Sequence, residues 1–206
     1  MPIVVHSYEQ PDRFIAGTVG PPGQRTFFLQ AKDGNRVTSV ALEKQQVAIL
    51  AERVDILLDE ALRRSGGDAA IPAVAPVDLR DGDPLEQPLV EEFRVGTITL
   101  SWDGDENVVV IELFPISEVS ASEPLDDDES GTNEAVAEIA GAADETEIEA
   151  EEVLLVKLDP AYARAFVRRA QSVVSAGRPP CQFCGGPLDP EGHLCPRANG
   201  FKRIAG

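Results

Sequence analysis

The chain has 206 residues, 18 basic against 36 acidic, for a formal net charge of −18. Such a length builds one sizeable core, or one core with a small appendage. No apolar run reaches the about 18 residues a membrane span needs, and the start Met1-Pro-Ile-Val-Val-His6 turns charged at once. This argues against a membrane helix or secretory leader and for a cytoplasmic protein.

Taken in order, Arg13–Val19 alternates apolar and polar residues and precedes the turn signal Gly20-Pro-Pro-Gly23. Arg25–Ala31 and Arg36–Leu42 flank Lys32-Asp-Gly-Asn35, and Asp-Gly between two such runs predicts a hairpin. From Glu43 to Arg64, Val47, Leu50, Val54, Leu57, Leu58 and Ala61 recur at helical spacing until Ser65-Gly-Gly67. Residues 68–88 are rich in Pro and Asp and read as a linker. Beyond them Phe93–Trp102 and Asn107–Phe114 read as strands joined across Asp103-Gly-Asp105, and Val153–Leu158 as a third. Pro160–Ala176 then forms a helix, with Asp159 as N-cap and Pro160 in the first helical position.

The expected fold class is therefore α+β: antiparallel sheet with two packed helices, in the pattern of a duplicated β-β-β-α unit. Gly17-Thr18 and Gly96-Thr97, in the first strand of each half, echo one another. The expected domains are an α+β body over 1–177 and a zinc-knuckle-like module over 178–206.

The negative charge is local. Residues 118–152 hold 14 acidic side chains and no Lys or Arg, leaving 22 acidic against 18 basic residues elsewhere, a balance of −4. Residues 120–150 hold too few large apolar groups to offset their ordering entropy, and read as a disordered acidic insertion rather than a marginal helix over 134–142.

The most specific chemistry lies near the C-terminus, in Cys181-Gln-Phe-Cys184-Gly-Gly-Pro-Leu-Asp-Pro-Glu-Gly-His193-Leu-Cys195-Pro-Arg. Three thiols and an imidazole are a complete donor set for tetrahedral zinc, and Gly-Gly after Cys-x-x-Cys lets the chain fold back toward the thiolates. His193 and Cys195, two apart, share a face only if the chain is extended there. A thioredoxin-type redox pair uses the same Cys-x-x-Cys spacing but needs a strand-then-helix context that is missing. The expected metal ligands are Cys181, Cys184, His193 and Cys195, around a closed structural zinc.

Residues 160–206 hold 7 basic and 2 acidic side chains. Arg164, Arg168, Arg178, Arg197 and Lys202 are therefore candidate phosphate or nucleic-acid contacts, weighed against simple solvated charge. With only Phe183 and Phe201 nearby, base stacking is thin. An enzyme would need a pocket between the two halves lined by Glu91, Glu92, Glu112 or His6. No nucleophile motif or phosphate-cradling glycine loop accompanies them.

Pro11-Asp-Arg-Phe14, Gly17-Thr-Val-Gly20, Arg25-Thr-Phe-Phe-Leu29, Leu42-Glu-Lys-Gln-Gln46 and the ending Arg178-Pro-Pro-Cys181 through Gly200 resemble an actinobacterial family of cytoplasmic proteins of this length and of unknown function. The resemblance implies no activity, substrate or catalytic residue, and it places the cysteine and histidine cluster within a family ending. The sequence thus points to a non-enzymatic, zinc-stabilised adaptor with a protein partner, a nucleic-acid or nucleotide-phosphate binder as rival, and no membrane.

Overall fold

In the computed structural model, residues 3–66, 70–116, 139–141, 151–177, 180–186, 193–197 and 203–204 are described. Strands β1 (Val4–Glu9), β2 (Arg13–Val19), β3 (Thr26–Asp33) and β4 (Arg36–Leu42) lead into helix α1 (Lys44–Arg64). After an irregular segment come β5 (Glu91–Asp103), β6 (Val108–Pro115), the short β7 (Ile139–Gly141), β8 (Glu152–Leu158) and α2 (Pro160–Ser175). Strands β9 (His193–Leu194) and β10 (Arg203–Ile204) form a separate pair.

The α+β expectation holds, with β-β-β-α occurring twice as β2-β3-β4-α1 and β5-β6-β8-α2. The sheet, however, is mixed rather than antiparallel. Its order is β1-β8-β6-β5-β4-β3-β2, with parallel pairing at β1/β8 and β4/β5. The physical reason is the crossover: α1 carries the chain back along the sheet, so β5 starts at the same end as β4. The strand β1 carries no alternation strong enough to announce it, and lies parallel to β8 in register Val4↔Glu152 to Glu9↔Lys157. Within the acidic insertion, 139–141 pairs parallel with β5 instead of forming a helical turn; residues 118–138 and 142–150 lie outside the described residues.

Local chemistry explains the boundaries. The β3–β4 hairpin closes over Gly34-Asn35, where Gly34 has φ +57° and its amide donates to Asp12 Oδ2 at 2.8 Å. At the start of α1, Gln46 Oε1 accepts from the Glu43 amide at 2.8 Å, while Gln46 Nε2 donates to the Val95 carbonyl at 3.1 Å. One side chain thus caps the helix and fixes it against β5. Asp159 caps α2, accepting from the Ala161 amide at 2.8 Å.

Both helices pack on one side of the sheet and against each other. One apolar cluster joins Phe14, Leu29, Val47, Leu50, Ile98, Ile111, Leu154 and Phe166, drawn from both halves. The inter-half pocket that an enzyme would need is filled among the described residues. The sheet also curls: Tyr8 of β1 hydrogen-bonds Thr38 of β4 at 2.8 Å, and Arg36 donates to the Ser7 carbonyl at 2.5 Å.

The segment expected as a linker is instead a strap. Its first part packs Ile71 into that core and runs along α2, and its second part crosses the outer face of β2–β4, where Ile15, Phe28, Ala41 and Leu85 make a second apolar cluster. Gly17 is what lets it approach, since a Cβ there would stand 2.6 Å from Leu85 Cγ.

Candidate metal centre and basic residues

The chain after α2 turns sharply at the first two cysteines. Cys181 N donates to the Gly186 carbonyl at 2.7 Å and Gly185 N to the Cys181 carbonyl at 2.9 Å, with Gly185 at φ +74°. A side chain disfavours that φ, which is why glycine follows the second cysteine. The Phe183 amide points at Cys181 Sγ, 3.5 Å away.

This turn brings Cys181 and Cys184 to Cys195, with the three sulfurs all within 4.8 Å of one another. Cys181 Sγ and Cys195 Sγ are 3.8 Å apart, and no cysteine is in a disulfide. A disulfide would hold two sulfurs at about 2.0 Å. Two thiolates on one tetrahedral zinc, each bonded at about 2.3 Å, stand about 3.8 Å apart. The spacing therefore fits a shared ion and not a sulfur–sulfur bond.

Cys181 and Cys195 are buried, at 4% and 1% exposure, and Cys184 is half-buried. A hydrogen bond from the Gly186 amide works to lower the Cys184 thiol pKa. Burial and the neighbouring Cys195 and Cys181 thiols outweigh it and leave the thiol above its ordinary value. Three thiols so close resist joint ionisation unless a cation balances them. His193 lies in the extended pair β9, as the two-residue spacing to Cys195 requires.

The basic residues are placed very differently from one another. Arg164 is buried, at 4% exposure, with its guanidinium held by the carboxylates of Asp55 and Asp59 and donating to the Pro72 carbonyl at 3.0 Å. It joins α2 to α1 and the strap, and in this arrangement it is not open to a phosphate. Arg168 and Arg197 are exposed. Arg178 and Lys202 lie outside the described residues.

Two basic residues escaped sequence reasoning. Arg13 binds the Asp81 carboxylate through Nε and Nη2, and Nη1 donates to the Pro84 carbonyl at 3.0 Å. Arg169 donates to the carbonyls of Ala16, Asp81 and Asp83 at 3.1, 2.7 and 2.8 Å. Together they fasten the strap to β2 and α2. The available signal was the acidic run Asp78 to Asp83, set against unassigned arginines.

Of the acidic candidates, Glu112 accepts from Thr99 Oγ1 at 2.6 Å, Glu91 sits 3.8 Å from Arg94, and Glu92 is exposed. His6 Nε2 meets Glu152 Oε1 at 2.6 Å across the β1/β8 pair. These residues do not converge.

No described helix is long and apolar enough to cross a membrane. Neither a curated protein nor a solved structure matches the chain. Residues 6–195, which span both β-β-β-α units, the strap and all three cysteines, match the family described as protein of unknown function (DUF3090), and the chain belongs to that family.

Proposed function

We propose that this chain is a zinc-binding interaction protein of the reducing cytoplasm, in which Cys181, Cys184, Cys195 and His193 close a structural site. The sulfur geometry carries the reading. The 3.8 Å separation of Cys181 and Cys195 equals the edge that two thiolates on one tetrahedral zinc would span. Energetics add to it: among residues 180–186 and 195–197, only Cys181 and Cys195 are buried, while Phe183 is 56% exposed. A structural zinc site contributes on the order of 10 kcal/mol, which would order a segment whose described residues bury so little. Four protein donors would leave no open position for water, so the zinc shapes a surface and does no chemistry.

The test is metal analysis of the full chain purified under reducing conditions. About one equivalent of zinc is expected, falling sharply in Cys195→Ser, with the NMR signals of the C-terminal segment collapsing toward random-coil positions. Protein free of metal, with all three thiols reacting as fast as free cysteine, would overturn the reading.

A second reading, phosphate or nucleic-acid binding, retains Arg168 and Arg197, which are exposed, and adds Arg178 and Lys202. Arg168 favours it most, because it makes no ion pair or hydrogen bond among the described residues. Loss of RNA or phosphate affinity in Arg168→Gln is its test.

A further inference from the structure

We propose that the groove between α2 and the strap binds a small phosphorylated molecule, at a site independent of the cysteine cluster. The groove encloses about 390 Å³, within the range of small-molecule sites. Its walls carry Arg80 from the strap and Arg168, Arg169 and Ser172 from α2.

Six arginines pair with carboxylates among the described residues, among them Arg13, Arg94 and Arg164. Arg80 and Arg168 are not among them: both are exposed, and neither side chain has an ion-pair or hydrogen-bond partner among the described residues. Asp81 is the one carboxylate in the lining, and Arg13 already holds it. Three guanidinium groups against one carboxylate leave the groove at +2, in a chain of net charge −18.

The walls are also fixed in place. Arg169 grips the strap carbonyls of Asp81 and Asp83 at 2.7 and 2.8 Å, so the backbone beside Arg80 is tied to the helix that carries Arg168. Ser172 lies one helical turn after Arg168, and its hydroxyl has no partner among the described residues. Two forked guanidinium donors and a hydroxyl match the oxygens of a phosphate group. Ala165, Ala176 and Gly82 leave room for it. The lining holds no aromatic ring on which a base could stack, which favours a small phosphate ester or diphosphate over a nucleic-acid strand.

The experiment is calorimetric titration of the full, zinc-supplemented chain with pyrophosphate. Saturable binding at one site is expected, weakened about tenfold or more in Arg80→Gln and likewise in Arg168→Gln, the loss of one charge-assisted contact. The thermal midpoint should not move, because neither side chain has an internal partner. Binding that does not saturate, or that survives both substitutions, would overturn the assignment. So would an RNA oligonucleotide that binds more tightly than pyrophosphate through the same two arginines.

Discussion

Replacing Arg164 by Met separates a structural arginine from a ligand-binding one. The guanidinium makes two bonds to carbonyl oxygens, Pro72 at 3.0 Å and Asp55 at 3.3 Å, and two to the carboxylates of Asp55 and Asp59. The carboxylates are 43% and 59% exposed. On losing their partner they return to water, so their share is at most about 1 kcal/mol. The two carbonyls lose charged donors in a half-buried setting, at about 1 kcal/mol or more each. Methionine preserves the packing of the aliphatic stem. The expected loss is therefore about 2–3 kcal/mol, a fall in thermal midpoint of roughly 4–12 °C for a chain this size. Asp55→Asn and Asp59→Asn should each cost only about 0.5 kcal/mol. Urea unfolding of zinc-saturated protein, followed by far-UV circular dichroism, measures all three variants. An Arg164→Met variant within about 0.5 kcal/mol of the parent would mean the α1–α2 contact is incidental, and would return Arg164 to the candidate phosphate ligands.

Three further substitutions test the strap. Gly17→Ala would place a Cβ 2.6 to 2.9 Å from three atoms of Leu85 and should destabilise by about 1–3 kcal/mol. Combined with Leu85→Ala it should cost less than the sum of the two single changes by about 1 kcal/mol, and strict additivity would show that the strap does not rest on β2. Asp81 is held below the ordinary carboxylate range, first by its hydrogen bond from Arg13, against the opposing effect of burial, and further by the Asp83 amide and the charges of Arg13 and Arg169. A depressed folded-state pKa gives stability that is fully present above the unfolded value of about 3.9 and is lost as pH falls through the lower folded one. The stability gap between parent and Asp81→Asn should therefore narrow on acidification below about pH 4; a gap that stays constant would refute the pairing.

Strands and helices with their own periodicity were legible in the sequence. Arg13–Val19 and Arg36–Leu42 match the observed strands at both ends, because alternation and a Gly-containing turn mark them locally. The same holds for α1, whose expected stripe is buried at Val47, Leu50, Val54, Leu58 and Ala61. What depends on distant partners was hidden. β1 is defined by its pairing with β8, nearly 150 residues away in the register Val5↔Val153. The strap looked like a linker because Pro and Asp signal irregular chain; its order comes from Arg13, Arg169 and the pocket over Gly17, which no window of sequence displays. The cysteines were legible because spacing alone brings thiols together. Arg164 shows the opposite limit: its helical position was right, but whether a cation faces solvent or a neighbouring carboxylate is settled by the helix packed against it.

The repeated β-β-β-α order leaves sheet edges that other strands cover. Each unit's third strand leaves an edge facing onward along the sheet. β5 covers the edge of β4 in parallel, and β1 covers that of β8 in parallel too, so the N-terminal strand takes the place a third unit would fill. The Gly-Thr echo does not carry this repeat. Gly17 sits in a regular ladder opposite Phe28, whereas Gly96 lies at the bulge between Val95 and Thr97. Topology carries it instead, and topology makes the segments after the two helices counterparts. After α1 comes the strap, with few buried apolar side chains, fastened by the arginines of β2 and α2. After α2 comes the cysteine segment, whose described residues bury little besides two thiols. A polar fastening suits both positions, because the described residues of each bury little apolar surface. The first is secured by guanidinium groups on carbonyls and carboxylates, and the second gathers three sulfurs within 4.8 Å of one another, close enough to share a metal ion.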